Sequence, residues 1–141
     1  MTISNPFAKI NTTNLYEGRK TTKKNKTADA GHNFEAYLKR ATTPLLVLQL
    51  LNEQPMYPYQ IMQEVNQRSE GMYKMPLLYT VIDRLQQQGF VYESKKEISE
   101  SNRVRNYYSI TDLGKLHLKE LKDQYSLFTS IINKILFSSD E

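Results

Sequence analysis

The sequence predicts a mainly α-helical fold with a small β-hairpin: a winged helix-turn-helix followed by a long C-terminal dimerisation helix. Apolar residues recur at helical spacing in three stretches between residues 34 and 88, and again from residue 113 onward. Between them lie two strand-like runs, residues 90–93 and 103–110, and the second run is rich in Arg and Tyr. A helix followed by a basic, aromatic hairpin is the half of a winged helix-turn-helix that meets DNA, so nucleic-acid binding is our hypothesis.

Two features of the composition narrow the class of protein. The 141 residues include no cysteine, which excludes a disulfide framework and a thiolate zinc site and is typical of a reducing compartment. No apolar run approaches the ~18 residues of a membrane-spanning helix, and the N-terminus lacks the apolar core of a secretory signal. We therefore expect a cytoplasmic protein that does not enter a membrane.

No group of residues predicts catalysis or a bound metal. The two histidines, His32 and His117, lie far apart in the sequence and have no ligand neighbourhood, so no metal site is expected. The sequence contains no carboxylate pair, glycine-rich phosphate loop or nucleophile elbow at the required spacing. It predicts neither a cofactor nor enzymatic activity.

The net charge of +4 is concentrated at the N-terminus. Residues 1–30 hold six basic and two acidic side chains, whereas residues 31–141 hold 13 of each. A neutral domain does not bind DNA by bulk charge, so binding requires Lys and Arg to gather on one face. Residues 1–33 lack periodic apolar residues and predict a disordered basic tail, which either contacts phosphates or a minor groove or is a solvated leader.

The first two helices are predicted from residues 34–68. Thr42, Thr43 and Pro44 indicate either the start of a new helix or a kink in a longer one. Residues 45–51 are almost continuously apolar and rich in Leu, which favours a buried helix over a strand. Pro58 is suited to the first turn of the second helix. The apolar stripe of that helix is Tyr59, Ile61, Met62 and Val65.

The third helix has the pattern of a recognition helix. Its predicted inward face is Leu78, Val81, Ile82 and Leu85. Its outward face carries Leu77, Thr80 and Arg84, flanked by Tyr79 and Asp83. This mixture of a cation, hydroxyls and an apolar contact suits base edges and thymine methyl groups. Gly89 supplies the left-handed residue that ends the helix.

The hairpin is predicted to present two arginines together. Alternation along residues 103–110 puts Val104, Asn106, Tyr108 and Ile110 on one face and Arg103, Arg105 and Tyr107 on the other. Residues 94–102 predict a polar, mobile loop with Lys95 and Lys96 near its tip. Thr111 is the expected N-cap of the last helix.

The last helix predicts a homodimer, because it has more apolar surface than a solvated helix leaves exposed. The residues expected at the dimer interface are Tyr37, Leu38, Leu113, Leu116, Leu121, Tyr125, Phe128, Ile131, Ile132 and Ile135. The residues expected to contact double-stranded DNA are Lys74, Leu77, Tyr79, Thr80, Arg84, Lys95, Lys96, Arg103, Arg105 and Tyr107. The structural alternatives are packing of Tyr79 against the turn, an ion pair for Arg84, and packing of Tyr107 and Tyr108 within the hairpin.

Three collinear runs resemble the PadR family of bacterial transcriptional regulators, including its multidrug-responsive members. They are residues 57–61 (Tyr-Pro-Tyr-Gln-Ile), residues 78–89 with Leu-Tyr at the start and Arg-Leu-Gln-Gln-Gln-Gly at the end, and residues 103–114 (Arg-Val-Arg-Asn-Tyr-Tyr-Ser-Ile-Thr-Asp-Leu-Gly). The resemblance covers about residues 37–125. The chain departs from the family pattern at Pro58, where Gly is usual, and at Pro76 and Leu77, where a small residue and Thr are usual.

The resemblance implies a dimeric winged-helix repressor whose third helix enters the major groove and whose wing lies over phosphate or minor groove. It also implies that Tyr79 meets the DNA backbone and that Arg103 and Arg105 are the basic wing positions. In relatives a small, planar, hydrophobic effector can bind at the dimer interface, often against a tryptophan. This chain has no Trp, so Tyr125 and Phe128 either line such a site or pack in a dry interface.

These observations predict four segments and one function, with two rivals. The segments are a basic tail (1–33), a winged-helix DNA-binding domain (34–111), a dimerisation helix (112–137) and a short tail (138–141). The function is sequence-specific transcriptional repression by a dimer on a pseudo-palindromic operator. One rival is a plasmid or phage accessory protein that binds repeated sites for partition or replication control, and the other is a protein-interaction winged helix.

Overall fold

The computed structural model describes residues 33–138. Apart from Asn33 and Ser138, the two predicted tails lie outside the described residues. The elements are α1 (Phe34–Glu53), α2 (Pro58–Arg68), α3 (Leu78–Gln87), β1 (Val91–Ile98), β2 (Val104–Ile110) and α4 (Asp112–Phe137). The chain divides into two units after Arg40, and the hydrophobic core, the hairpin and α4 belong to the second, Ala41–Glu141. The predicted mainly α fold with a small hairpin is confirmed.

Of the two alternatives for the first helix, the single longer helix is correct, because α1 continues through Pro44 instead of starting there. Proline removes one hydrogen bond from a helix ladder. The helix continues nevertheless because the residues after the proline are held by burial in the core. The core-facing residues of α1 are Thr43, Val47, Leu48, Leu50 and Leu51.

Helix α2 starts as predicted, with Pro58 in its first turn after an extended Tyr57. Its buried residues are Ile61 and Val65. The prediction that Tyr59 belongs to the apolar stripe is wrong, since Tyr59 is 59% exposed. In a helix of 3.6 residues per turn, side chains two positions apart point in directions that differ by about 160°. Because Ile61 faces the core, Tyr59 points away from it.

An ion cluster joins the end of α1 to α2. The guanidinium of Arg68 donates to both carboxylate oxygens of Glu53, at 2.7 and 3.1 Å, and its Nε donates to Glu64 at 3.1 Å. The hydrogen bonds from Arg68 and from Gln49 lower the pKa of Glu53 to about 2. The same pairing with Glu53 raises the pKa of Arg68.

Helix α3 buries Leu78, Val81, Ile82 and Leu85, as the sequence predicted. Gly89 adopts the left-handed conformation (φ +83°) that ends the helix. The N–H of Phe90 donates to the carbonyl of Leu85, and that of Gly89 donates to the carbonyl of Gln86, which is a Schellman ending. This ending turns the chain directly into the hairpin.

The hairpin is longer than the sequence indicated. Strand β1 runs to Ile98, and its antiparallel register with β2 extends from Val91 opposite Ile110 to Ile98 opposite Val104, with a bulge between Glu93 and Lys95. The prediction of a mobile loop over residues 94–102 is therefore wrong for residues 94–98. These residues have no apolar alternation, and pairing with β2 is what makes them a strand.

Met56 pairs with the hairpin through an isolated β-bridge, and the sequence did not predict this pairing. It forms an antiparallel bridge with Tyr108, with reciprocal N–H to carbonyl bonds of 3.2 and 2.9 Å. The connector between α1 and α2 is thereby fixed to β2, and Met56 itself is fully buried.

Helix α4 contributes little of its length to the core. Thr111 caps it, as predicted: its Oγ1 accepts from the N–H of Gly114 at 2.9 Å and donates to the carbonyl of Gly89 at 2.7 Å. Only Gly114 and Leu118 are buried among the described residues of this helix. No helix among residues 33–138 is long and apolar enough to cross a membrane.

The core is formed by α1, α2 and α3, closed on one side by the start of β1 and the first turns of α4. Its buried apolar side chains are Val47, Leu48, Leu50, Leu51, Met56, Ile61, Val65, Met75, Leu78, Val81, Ile82, Leu85, Val91 and Leu118. Because its inner face is anchored in this core, α3 holds its outer face in a fixed orientation beside the hairpin.

Candidate nucleic-acid interface

The first half of α3 offers an exposed, mixed polar and aromatic surface. Tyr79 is 62% exposed and Thr80 is also exposed, while their neighbours Leu78 and Val81 are buried. Leu77 occupies the N-cap position and is exposed, but its side chain cannot cap the helix. Two hydroxyl groups and one apolar side chain therefore lie together at the start of α3.

Lys74 and Arg84, which the sequence grouped with this surface, lie at its margins. Lys74 is in the connector before α3, and its Nζ donates to Asn66 Oδ1 at 3.1 Å. Arg84 lines a cavity of about 210 Å³ with Pro44, His117 and other residues of α1 and α4. The ion pair proposed as its alternative role does not form among residues 33–138.

The two faces of the hairpin have the predicted side chains. Tyr108 and Ile110 pack against the core. Burial raises the pKa of Tyr108, and the nearby carboxylates of Glu93 and Asp83 raise it further. Asp83 of α3 therefore lies near the Tyr108 side chain, and Arg105 is on the other face of β2 by strand alternation.

The outer face of the hairpin carries a cluster of cations and aromatic rings. The guanidinium of Arg105 lies 4.7 Å from the ring centre of Tyr57, and Lys95 Nζ lies 4.6 Å from that of Tyr107. The rings of Tyr57 and Tyr107 meet edge to face, with centroids 5.2 Å apart. Tyr107 donates from its hydroxyl to Glu97 at 2.9 Å, which raises the pKa of Tyr107.

The wing cations differ in how far they are neutralised. Lys95 Nζ lies 3.7 Å from Glu97 and Lys96 Nζ lies 3.9 Å from Glu93. Within the part of the chain that the structure describes, neither Arg103 nor Arg105 is in an ion pair. The two arginines are therefore the hairpin cations that are not in an ion pair.

The order of these elements and their sequence match a known family. Residues 47–120 match the model of the family described as "Transcriptional regulator PadR-like family". The chain belongs to the PadR-like family of transcriptional regulators. Membership makes it a DNA-binding regulator of the winged-helix class, and proteins of this class are generally not enzymes.

Individual relatives and solved structures match most of the same region of the chain. The chain is 32% identical over 90 residues to an uncharacterized protein X of Lysinibacillus sphaericus. This match covers 62% of this chain and 82% of the relative. A PadR family transcriptional regulator structure from Eggerthella lenta is similar at a TM-score of 0.65, with 26% identity over 79% of this chain and 96% of the other. A transcriptional regulator from Clostridium thermocellum is similar at a TM-score of 0.62, with 27% identity over 70% of this chain and 97% of the other.

The structure explains why the PadR-like run ends in glycine at position 114. An added Cβ at Gly114 would collide with the backbone carbonyl of Phe90 and the side chain of Ile110. The N–H of Thr111 also donates to the Phe90 carbonyl, at 2.9 Å. Thr111 and Gly114 thus join the ends of α3, the hairpin and α4 at one point.

Helix α4 of this PadR-like chain leaves a long apolar surface in solvent. Its exposed apolar residues are Leu113, Leu116, Tyr125, Leu127, Phe128, Ile131, Ile132, Ile135, Leu136 and Phe137. Leu121, which the sequence assigned to the dimer interface, packs against the core of its own chain. Tyr37 and Leu38 in α1 are exposed.

The sequence did not predict the positions of two further residues, Tyr57 beside the wing and Ile98 within it. Tyr57 was noted only as part of a family motif, and its contact with the wing spans about fifty residues of sequence. Ile98 was placed in a loop, but it is an exposed strand residue opposite Val104. No local pattern in the sequence marks either contact.

Proposed function

We propose that this PadR-like chain is a sequence-specific regulator that binds DNA as a homodimer and represses transcription. The observation that carries the proposal is the start of α3, where Tyr79 and Thr80 are exposed while Leu78 and Ile82 fix the helix in the core. A helix held in this way can enter a major groove without giving up its packing. Occupancy of an operator then blocks the promoter that overlaps it.

A second copy of the chain is the proposed occupant of the apolar surface of α4. Such a surface exceeds what a monomer leaves in water, and two-fold dimers are the commonest assemblies of soluble proteins. We assign residues 112–137 to dimerisation and residues 34–111 to DNA binding. Tyr125 and Phe128 would pack in a dry interface, and the two α3 helices would read successive major grooves of a pseudo-palindrome about 34 Å apart.

The whole proposal is tested by selecting bound sequences from a random pool of duplex DNA with the full-length chain. We expect an enriched sequence with two-fold symmetry and an affinity that falls steeply between about 50 and 200 mM salt. A tandem array of short sites would instead favour the accessory protein that binds repeats. No enrichment at low salt would contradict the proposal.

The wing contribution is tested with Arg103→Ala and Arg105→Ala in one chain. The double variant should bind the selected site at least tenfold more weakly, because it loses two phosphate contacts, and its salt slope should fall by about two. Lys119→Ala on α4 is the matched control, since it also removes an exposed cation. Unchanged affinity in the double variant would remove the wing from the interface.

One observation favours a protein partner as a second candidate. Two carboxylates, Asp83 of α3 and Glu93 of β1, lie close enough to Tyr108 to raise its pKa, and exposed apolar side chains at Met72 and Leu77 lie on the connector before α3. This composition is less suited to phosphate than a purely basic face. The candidate predicts no sequence-selective DNA binding at any salt concentration, which the selection experiment measures directly.

A further inference from the structure

Tyr57 is held against the wing by the backbone. Its neighbour Met56 is fully buried and bridges Tyr108 with two hydrogen bonds, so the connector before α2 follows β2. Because successive residues of an extended chain alternate, burial of Met56 turns Tyr57 to the outer face of the hairpin. There its ring meets the edge of Tyr107 and the guanidinium of Arg105.

Arg105 is positioned without being neutralised. Within residues 33–138 its guanidinium makes no hydrogen bond or ion pair to another residue, although Glu97 lies directly opposite it in the strand register. Glu97 instead accepts from Tyr107 and lies near Lys95. A guanidinium that stacks on an aromatic ring keeps its N–H donors available at its edge. Arg105 therefore retains the geometry that binds a phosphate in a bidentate manner.

The space in front of this stack is polar. Arg105, Tyr57 and Lys95 line an open groove of about 580 Å³ together with the hydroxyls of Ser94 and Ser109. The side-chain oxygen of Gln60, which lines the same groove, is buried and has no hydrogen-bond partner. Two cations line the groove, Arg105 without an ion pair and Lys95 at 3.7 Å from Glu97, and no carboxylate is among the lining residues.

We propose that Tyr57 is a positioning residue for DNA binding: its ring holds Arg105 so that the guanidinium binds a backbone phosphate beside the wing. The inference rests on the proposed function. It assigns a role in the interface to the connector before α2, outside the recognition helix and the wing. The contact is made by the ring face, and no hydrogen bond of the Tyr57 hydroxyl to another described residue is involved.

The test compares Tyr57→Ala, Tyr57→Leu and Tyr57→Phe in the full-length chain on the selected DNA site. Ala and Leu should weaken binding on the order of tenfold, the effect of losing one charge-assisted hydrogen bond, and should lower the salt slope by about one. Phe retains the ring and should bind like the wild type. Tyr59→Ala removes a neighbouring exposed tyrosine and should change neither quantity.

A double-mutant cycle with Arg105→Ala separates positioning from general stability. If Tyr57 acts through Arg105, the double variant should bind no more weakly than Arg105→Ala alone. Additive losses, wild-type binding by Tyr57→Leu, or weak binding by Tyr57→Phe would each overturn the inference.

Thermal unfolding of each free variant provides the folding control, and Leu keeps the apolar volume if Ala unfolds the connector. If the wild type itself selects no DNA, the proposed function fails; if it binds and Tyr57→Leu binds equally well, only this inference fails.

Discussion

At the scale of single residues, Gly114 is the position where the fold tolerates least change. The first turn of α4 passes so close to the Phe90 carbonyl that no side chain fits between them. The hydrogen bonds of Thr111 to Gly89 and Phe90 tie the same junction from the other side. The junction sets the direction in which α4 leaves the domain.

Gly114→Ala should destabilise the protein by about 1–3 kcal/mol, the usual cost of forcing extra atoms into a packed site. The cost should lie at the upper end because the obstructing atom is a backbone carbonyl, which cannot rotate away. Chemical denaturation of the variant measures the loss. Lys115→Ala, at the adjacent exposed position, should leave the free energy of unfolding nearly unchanged. Equal stability of the two variants would contradict the close approach.

The pair of Glu53 and Arg68 predicts a pH dependence of stability. The pKa of Glu53 is lowered from 4.5 to about 2 in the folded chain. Because the pKa of Glu53 is lower in the folded chain, the ionised carboxylate stabilises the fold above pH 4.5, and this stabilisation is lost as the pH falls towards 2. Glu53→Gln should therefore be less stable than the wild type at neutral pH, by a small amount because the pair is partly exposed, and the two curves should converge near pH 2.

The measurement is urea unfolding of both proteins across this pH range. Glu100→Gln at the hairpin tip is the control, since Glu100 is exposed and outside every ion pair found among residues 33–138. It should leave the pH profile unchanged. A difference between wild type and Glu53→Gln that persists undiminished at pH 2 would show that the carboxylate charge is not its cause.

At the scale of elements, the hairpin depends on its turn. Asn102 has a positive φ of 64°, a left-handed conformation that asparagine tolerates better than most residues. The N–H of Ser99 donates to the carbonyl of Arg103 at 2.8 Å and closes the turn. The turn holds Ile98 opposite Val104 and so extends the wing beyond the core.

Asn102→Ala should cost about 1–2 kcal/mol in local hairpin stability, because alanine in the left-handed region is strained. Asn102→Gly should preserve the hairpin. Amide hydrogen exchange at residues 95–98 reports the difference, with faster exchange expected only in the alanine variant. Rapid exchange of these amides in the wild type would mean that the segment is a loop after all.

At the scale of the whole molecule, the apolar surface of α4 makes assembly testable. Ile132→Asp would place a charge in the proposed dimer interface, where desolvation without a partner is costly. Sedimentation at micromolar concentration should give a dimer for the wild type and a monomer for the variant. Asp123→Asn, which changes a charge on the same helix beside Lys119, should remain a dimer. A wild-type monomer would contradict the proposal.

The sequence by itself determined where α2 and α4 start, where α3 ends and which face of α3 is buried. These depend on interactions between residues a few positions apart, so the spacing of Leu78, Val81, Ile82 and Leu85 and the residues Thr111 and Gly89 were sufficient. The same local information could not decide whether α1 continues through Pro44. Thr42, Thr43 and Pro44 fit the start of a new helix as well as the interior of a longer one, and burial of the residues after Pro44 decides between them.

Only the tertiary structure decided how the wing is built and held. Residues 94–98 become a strand through pairing with β2, Met56 joins the same sheet, and Tyr57 reaches Arg105 across 48 positions of sequence. Such contacts depend on where the chain returns in space, and neither residue type nor local spacing encodes that return.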